Sequence, residues 1–336
     1  MIFVDNENIY KSYINLALEE YLLRNFPGED DILLFYINDH AIIIGKHQNT
    51  LEEINQQYVQ EHGIDVTRRV SGGGAVYHDM GNLNFSFITQ NRPENVQNFR
   101  KFTEPVVEAL REMGVPAESG GRNDILVDGR KVSGNAQYIS SKRMLSHGTL
   151  LLNTDLTVLS HALNPKPAKF ESKGVKSVRS RVANIREFMD ADMDILEFRQ
   201  RILRHLLRAE DGIPQYHLTA ADWEAVHKLS AERYQTWDWN YGQSPKFNVQ
   251  RVQRFAGGEI DARIEVEKGI IRGVRFYGDF FSGREPEELE GALAGVQYEE
   301  DAVRAKVATL PINEYFFGVT AEEFLQLMFH AGGREA

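Results

Sequence analysis

The sequence contains no cysteine, and this absence excludes several kinds of chemistry at once. Disulfide bonds, thiolate zinc sites, redox-active thiol pairs and cysteine nucleophiles all need a residue that none of the 336 positions supplies. The 10 histidines form no HxxxH or HExxH pair, so the sequence predicts no dedicated metalloenzyme site. Any covalent chemistry must therefore come from other residue types.

Positive charge and long apolar runs are also scarce. Lys and Arg number 38 against 49 Asp and Glu, which gives a formal net charge of −11. Because a nucleic-acid duplex requires a basic surface, we expect no nucleic-acid partner. No apolar run approaches the roughly 18 residues of a membrane-spanning helix, and the start of the chain lacks the basic and apolar regions of a signal peptide. These absences predict a soluble, cytoplasmic protein without a membrane partner.

The composition is that of a folded globular chain with two domains. Hydrophobic residues make up 42% and charged residues 26%, and 336 residues exceed the usual size of one domain. Residues 237–248 read WDWNYGQSPKFN, a turn-rich stretch that interrupts the periodic pattern. We therefore place the boundary there, with a first domain at 1–242 and a second at 243–336.

Hydrophobic patterns predict an α+β first domain and a small α/β second domain. In residues 82–89, Leu83, Phe85 and Phe87 alternate with polar residues, which predicts a strand with one buried face. Other predicted strands are 31–37, 41–44, 64–70, 124–127, 131–138 and 147–153, then 262–266 and 271–277. Predicted helices are 51–62, 93–113, 193–209, 219–235, 285–294, 301–309 and 320–329.

A run of three glycines lies between two of the predicted strands, in the sequence RRVSGGGAVYHD at 68–79. Glycines let a backbone approach a ligand closely and direct N–H groups toward an anion. A flexible turn is the alternative reading, which the flanking arginines and the following His78 make less favourable. Neither GxGxxG nor GxxxxGK[ST] nor GxSxG is present, so no standard nucleotide motif or nucleophile elbow is predicted.

Two further segments carry unusual polarity. GRND and KVSGN flank an Asp128-Gly129 turn, a strong hairpin signal, and Lys131 lies in a run with little material for packing on either face. The second segment, 164–186, has seven positive residues against one negative, the reverse of the chain as a whole. It is either a solvated linker or a loop that closes over an anionic ligand.

Together these segments resemble the lipoate-protein ligase family, whose catalytic domain is similar in sheet topology to that of biotin-protein ligases. The resemblance rests on RRVSGGGAVYHD with GNLNFSF, on GRNDILVDGRKVSGNAQY, on HGTLLLN, on KSVRSR and on YGQSPKF. It covers nearly the whole chain, in the family's order. It implies a mixed-sheet α+β catalytic domain like that of biotin and lipoate ligases, followed by a C-terminal α/β accessory domain.

The resemblance also assigns residues. It implies that Lys131 is catalytic, that Asp124 is a candidate ligand of Mg²⁺, and that the basic loop at 164–182 binds the adenylate through Lys173, Lys176, Arg179 and Arg181. The residues that it places around lipoate or the acyl-adenylate are Arg69, Ser71, Gly72, Gly73, Gly74, Ala75, Val76, Tyr77, His78, Asn123, Asp124, Lys131, Ala136, His147 and Thr149.

The implied activity is an ATP- and Mg²⁺-dependent ligation. Lipoate, or octanoate, is converted to the acyl-adenylate with release of pyrophosphate and is then transferred to a lysine of lipoyl domains of 2-oxoacid dehydrogenase complexes or of the glycine-cleavage H protein. Two alternatives stay open: a transferase that acts mainly from preformed acyl-adenylate, and a lipoate-binding module without turnover. A cysteine-dependent acyltransferase of the same fold is disfavoured because the sequence has no cysteine, and a biotin-protein ligase by the glycine motif and accessory domain.

Overall fold

A computed structural model describes residues 1–121, 123–163, 181–190, 192–208, 212–241, 247–267 and 269–329. The chain divides into two compact units. The first comprises Met1–Ile44, Leu51–Arg69 and Ala75–Asn240, and the second comprises Gly45–Thr50, Val70–Gly74 and Tyr241–Ala336. The second unit thus includes two short loop segments from the N-terminal part of the chain, which a boundary drawn at one point of the sequence does not separate.

The first unit contains eleven strands in its described residues. They are β1 Ile2–Asp5, β2 Ile32–Tyr36, β3 Ala41–Ile44, β4 Asp65–Arg68, β5 Val76–His78, β6 Asn82–Gln90, β7 Ala117–Gly120, β8 Asp124–Val127, β9 Arg130–Ile139, β10 Arg143–Leu151 and β11 Gln215–Tyr216. Eight form a mixed sheet in the order β11-β1-β2-β6-β10-β9-β8-β7. β1 is parallel to β2 and β11, and the other pairs are antiparallel. A second sheet has the order β4-β3-β5.

Helices cover both faces of the large sheet. The α-helices of this part of the chain are α1 Ser12–Asn25, α2 Thr50–Glu53, α3 Gln56–Glu61, α4 Phe99–Glu112, α5 Leu156–Ala162, α6 Ile195–Leu207, α7 Ala220–Leu229 and α8 Trp237–Asn240. Phe102 of α4 and Phe198 of α6 join Phe85 and Phe87 of β6 in the apolar core. Because side chains alternate along a strand, Ser86 faces the other side, where Glu19 of α1 accepts its hydrogen bond.

Several features of the first unit differ from the sequence prediction, which did not contain β1, β7, β11, α1 or α5. Residues Asn82 to Thr89 of β6 are all buried, so the prediction of one buried face is wrong. β6 lies inside the sheet, and its polar residues form buried hydrogen bonds instead of facing water. The helix predicted at 51–62 is divided, because the Asn55 side chain accepts a hydrogen bond from Tyr58 N at 3.2 Å and begins α3.

The hairpin predicted at Asp128-Gly129 is confirmed. It joins β8 to β9, and both turn residues have positive φ, 49° and 71°. This backbone matches the twist of paired strands and favours Asp followed by Gly. The turn pairs Val127 with Arg130 and Leu126 with Lys131, and a register shift beyond these pairs then brings Asp124 of β8 opposite Gly134 of β9.

The second unit contains an antiparallel sheet of three strands, β12 Val249–Phe255, β13 Gly258–Glu267 and β14 Ile270–Gly278. Its helices are α9 Pro286–Leu293, α10 Glu300–Val307, α11 Ile312–Tyr315 and α12 Ala321–Phe329. The sequence predicted β13 and β14 but missed β12, whose residues are nearly all half-buried and therefore lack a clear apolar alternation. Within the described ranges, no helix combines the length and apolar character of a membrane span.

Candidate active site

Lys131 lies near the start of β9 with its ammonium held by a carboxylate. Its Nζ is 2.8 Å from Oδ1 of Asp124, and both side chains are about one third exposed, at 39% and 31%. The backbone of Lys131 is bound as well: its N–H donates to Arg181 O at 2.7 Å, and its carbonyl accepts from Ala183 N at 3.0 Å. The end of the predicted basic loop therefore runs beside the lysine that the resemblance assigns to catalysis.

Gly134 makes room for the lysine side chain. A Cβ atom at position 134 would lie 2.8 Å from Nζ and 2.9 Å from Cε of Lys131, closer than real contacts allow. The N–H of Gly134 also donates to Thr149 Oγ1 at 3.2 Å. Packing against Lys131 therefore requires a glycine at position 134. Gly134 is part of the KVSGN motif, although it is not among the residues that the resemblance assigns to the site.

The register of the sheet brings several of the assigned residues to one face. His147 of β10 pairs with Ala136 on the neighbouring strand β9 and with Ser86 on the neighbouring strand β6. Since side chains alternate, Ala136, His147 and Thr149 share the face that α1 covers. Asn135 points to the opposite face, where Gly148 leaves space for it: a Cβ at 148 would lie 2.0 Å from Asn135 Oδ1.

Asn123 forms hydrogen bonds with Asn135 of the neighbouring strand β9. Its side-chain amide donates to the carbonyl of Asn135, and its own carbonyl accepts from Asn135 N at 3.0 Å and Nδ2 at 2.9 Å. These bonds close the edge between the turn at Asn123 and β9. In this structure Asn123 therefore positions Asp124 and β9, whichever ligand contacts it makes.

A buried carboxylate that the sequence analysis did not single out organises His147. Glu19 is 1% exposed, and its two oxygens are 2.9 and 3.0 Å from His147 Nδ1. Ser86 Oγ also donates to Glu19, and Tyr36 OH donates to it at 3.3 Å. Burial and the charge of Glu19 raise the pKa of Tyr36. The signal in the sequence was an acidic pair, Glu19 and Glu20, within the apolar stripe of a helix.

The two arginines of the glycine motif have different environments. Arg68 donates from Nε to Trp239 O at 2.8 Å and from Nη2 to Asn240 O at 3.1 Å, so it anchors α8. Arg69 is 7% exposed, and its Nη1 donates to Ile43 O at 3.1 Å. Burial lowers the pKa of Arg69 to about 10, which still leaves it a cation at neutral pH.

The residues after the glycines form β5. Ala75 and Val76 are half-buried, whereas Tyr77 and His78 are buried. Burial raises the pKa of Tyr77. Burial, with the nearby charges of Arg69 and His147, lowers the pKa of His78 to about 3, so this imidazole is neutral at physiological pH.

Ser71 and the glycine triplet belong to the second unit and are packed there. The carbonyl of Ser71 accepts from Lys46 N at 2.9 Å. A Cβ on Gly72 would lie 2.3 Å from the carbonyl oxygen of Phe280, and Gly73 has a φ of 91°. Nothing lies within 4 Å of the Cβ position of Gly74. Two of the three glycines therefore have a structural requirement of their own.

The predicted adenylate loop is described only at its end. Lys173, Lys176 and Arg179 lie outside the described residues, while Arg181 is described and exposed, with its carbonyl bonded to Lys131. Among the residues that the structure describes, no three His, Asp or Glu side chains could hold a metal ion together. Within that part of the chain, Asp124 belongs to no cluster of three possible metal ligands.

Family models match most of the chain. Residues 11–207 match the lipoyl protein ligase A/B catalytic domain, and residues 244–328 match the bacterial lipoate protein ligase C-terminus. The chain is 52% identical to lipoate-protein ligase LplJ of Bacillus subtilis (strain 168), covering 98% of this chain and 100% of the relative. It is 48% identical to lipoate-protein ligase 1 of Staphylococcus aureus (strain Mu50), with 98% and 100% covered.

Solved structures show the same similarity. P. falciparum LipL1 in complex with lipoate superimposes with a TM-score of 0.79 at 25% identity, covering 92% of this chain and 94% of that one. A bipartite ligase from Thermoplasma acidophilum, solved in a study with its E2 lipoyl domain, gives 0.64 at 33% identity, with 73% and 97% covered. A lipoate-protein ligase A bound with ATP gives 0.61 at 31%, with 72% and 97% covered.

Proposed function

This chain belongs to the lipoate-protein ligase family, and from this premise we propose that it activates lipoate with ATP and transfers the lipoyl group to an acceptor lysine. In the first step a carboxylate oxygen of lipoate attacks the α-phosphorus of ATP, and the bond from that phosphorus to pyrophosphate breaks. In the second step the neutral amine of the acceptor lysine attacks the acyl carbon of lipoyl-AMP. The bond from this carbon to the phosphate oxygen breaks, AMP leaves, and the amine loses a proton.

The observation that carries the proposal is the position of Lys131. Its ammonium is partly exposed, held 2.8 Å from Asp124, and lies along a strand whose glycine leaves it space. Adenylation brings together two anions, the carboxylate and the α-phosphate, which repel each other. A compact cation between them lowers this repulsion and stabilises the charge that develops on the phosphate oxygens. We assign this role to Lys131.

Other residues of the first unit support binding. We assign Arg69 as a buried cation for the anionic part of the ligand, because its guanidinium stays charged while burial strengthens its field. His147, held by Glu19, is assigned to the wall of the acyl pocket together with Ala136 and Thr149 on the same face. We assign the backbone N–H groups around Ser71 and the glycines to the adenylate.

Mg²⁺ fits this site only as an ion carried by the nucleotide. Asp124 is the carboxylate that we assign to it, and the described residues hold no cluster of three possible ligands. Mg²⁺ prefers to keep its waters and phosphate oxygens and takes one or two protein carboxylates, which this arrangement permits. When bound, it neutralises phosphate charge. The same neutralisation is proposed for Lys173, Lys176, Arg179 and Arg181 of the basic segment.

Lipoyl domains of 2-oxoacid dehydrogenase complexes are the proposed acceptors, with the glycine-cleavage H protein as a second acceptor. The T. acidophilum relative is named together with its E2 lipoyl domain, which supports the first. We propose a cytoplasmic location, where these acceptors are made. Lipoate and octanoate are both candidate substrates, because chain-length differences change binding free energy by only about 1–3 kcal/mol per methylene.

The test of the proposed function is lipoate-dependent exchange of radiolabelled pyrophosphate into ATP, followed by mass spectrometry of an added lipoyl domain. We expect exchange only with lipoate or octanoate present, and an acyl mass on the domain that disappears when its target lysine is replaced by arginine. Acylation from supplied lipoyl-AMP without exchange would instead identify a transferase. Binding of lipoate with neither reaction would identify a module without turnover.

Replacing Gly134 by alanine should reduce the exchange rate by about tenfold or more, because small misplacements of a catalytic group have large kinetic effects. The new Cβ would lie 2.8 Å from the Lys131 ammonium and push this flexible side chain away from Asp124. Gly273→Ala is the matched control, since nothing lies within 4 Å of its Cβ position. Unchanged exchange in Gly134→Ala, with the fold retained by circular dichroism, would show that the position of the lysine does not limit adenylation.

A further inference from the structure

Three buried asparagines form a chain of hydrogen bonds that ends at His78. Asn6 Nδ2 donates to Asn15 Oδ1 at 2.9 Å, Asn15 Nδ2 donates to Asn38 Oδ1 at 2.9 Å, and Asn38 Nδ2 is 3.0 Å from His78 Nδ1. All four residues are at most 4% exposed. They come from four separate segments of the first unit: the end of β1, α1, the end of β2 and β5.

Backbone carbonyls determine how the amides of Asn6 and Asn15 are oriented, and Asn15 then determines the orientation of Asn38. Asn6 Nδ2 is 2.7 Å from Ile9 O, and Asn15 Nδ2 is 2.9 Å from Ile9 O and 3.2 Å from Ile37 O. A carbonyl only accepts, so these side-chain atoms must be the amide nitrogens. The amide nitrogen of Asn15 consequently donates to Asn38, so the atom of Asn38 that accepts this hydrogen bond must be its side-chain oxygen. The nitrogen of Asn38 is then the atom that faces His78.

This orientation selects one tautomer of His78. An amide nitrogen can only donate, so Nδ1 of His78 must accept and carries no proton. The ring is neutral, because burial lowers its pKa to about 3, and its single proton therefore lies on Nε2. Among the described residues, Nε2 of His78 has no hydrogen-bond partner although the side chain is only 4% exposed.

A purely structural role explains the asparagines but not the end of the chain. The amide bonds tie together the segments of β1, α1 and β2, and each of the three amide nitrogens has an acceptor. A buried N–H without an acceptor is unfavourable and rare in folded proteins, so it indicates a missing partner. The nearby cation Arg69, whose charge contributes to the low pKa of His78, favours an anionic or strongly polarised oxygen as that partner.

We propose that His78 donates its Nε2 hydrogen to an oxygen of the acyl carboxylate or acyl-phosphate group, and that Asn38, oriented through Asn15 and Asn6, is the positioning residue that keeps the proton on Nε2. The proposal rests on the proposed function for the identity of the ligand. The tautomer itself does not depend on it. His78 acts here as a neutral donor beside Arg69, so it leaves the charge balance of the site unchanged.

Nitrogen NMR of the full-length protein with ¹⁵N-labelled histidine tests the tautomer without any substrate. The resonances of His78, assigned by their loss in His78→Gln, should show an unprotonated Nδ1 and a protonated Nε2. Asn38→Asp offers only acceptor oxygens, so it should move a proton to Nδ1. Asn95→Asp is the matched control, because Asn95 is also a buried asparagine, bonded to Thr89 and Gln90 at the C-terminal end of β6. This variant should leave the His78 resonances unchanged.

Exchange kinetics and binding test the role of the donor. His78→Leu should lose about 10²-fold or more in kcat/KM for lipoate, comparable to removal of one preorganised donor, whereas His78→Gln, whose amide can donate from nearly the same position, should retain most of it. Addition of a non-hydrolysable lipoyl-adenylate analogue should shift the Nε2–H resonance of the wild-type protein.

The outcomes separate the inference from the proposed function. A protonated Nδ1 in the wild-type protein, or equal kcat/KM for His78→Leu and the wild type, would overturn the inference while exchange activity stands. Absence of exchange in the wild type would overturn the proposed function, and the tautomer and the analogue-induced shift would still decide whether His78 is a ligand donor.

Discussion

Replacing Lys131 by alanine should reduce lipoate-dependent pyrophosphate exchange by at least about 10²–10³-fold, the effect of removing one preorganised charge-stabilising group. The ammonium is the only described cation that the structure pairs directly with Asp124, and Gly134 is shaped to accommodate it. Stability should change little, because a partly exposed ion pair contributes only about 0–1 kcal/mol. Lys131→Arg should not restore activity, since the planar guanidinium is longer and spreads its charge over a fork.

The control for this experiment is Lys142→Ala. Lys142 is exposed in the turn between β9 and β10, at the far end of the same strand pair from Lys131. The Lys142→Ala variant should exchange pyrophosphate at the wild-type rate. If Lys131→Ala keeps more than about a tenth of the wild-type rate, well above the loss expected for such a group, the assignment of Lys131 is wrong. Chemical unfolding of all three variants would show that none of the differences arises from loss of the fold.

Replacing Glu20 by alanine should destabilise the first unit by about 1–3 kcal/mol, the cost of leaving a buried polar group, here the hydroxyl of Tyr234, without its hydrogen-bond partner. Glu20 is 1% exposed and accepts from Arg233 Nη1 at 2.6 and 2.8 Å and from Tyr234 OH at 2.8 Å. Arg24 Nε donates to the same carboxylate at 2.6 Å. Its removal leaves the buried Tyr234 hydroxyl without an acceptor and the turn before α8 without its link to α1.

The loss should depend on pH with a defined sign. Burial alone would raise the pKa of Glu20, but the hydrogen bond from Tyr234 and the charges of Arg233 and Arg24 lower it overall. A carboxyl whose pKa is lower in the folded state stabilises the fold above its unfolded pKa of about 4.3, and this contribution disappears as the pH falls through the folded pKa. The difference between wild type and variant should therefore be constant near pH 7 and shrink in acid.

Urea unfolding at pH 7 and at a pH below the unfolded pKa of about 4.3 measures this difference. Glu224→Ala serves as the control, because Glu224 is exposed on α7 and surface substitutions usually stay within about 0.5 kcal/mol. A loss for Glu20→Ala no larger than that of the control, or one that grows in acid, would contradict the assignment of a stabilising buried carboxylate.

Local patterns were sufficient for much of the fold. The run ILLFY predicted β2, which is buried along its whole length, and the Asp128-Gly129 pair predicted the hairpin that joins β8 to β9. These elements depend on residues that are close in sequence, so turn residues and hydrophobic patterns are sufficient to predict them. Patterns were insufficient for β12, whose half-buried residues lack a period, and for β6, where polar residues are buried by contacts with distant segments.

The sequence by itself determined the family and placed Lys131, the glycine motif and the hairpin, because these are contiguous motifs in a recognisable order. Only the tertiary structure showed the Glu19–His147 pair, whose members are 128 positions apart, the asparagine chain to His78, and the packing of Gly72 against Phe280 in the second unit. A buried polar group is stable only when folding supplies its partners, and those partners come from other strands and helices. No local pattern specifies which ones meet.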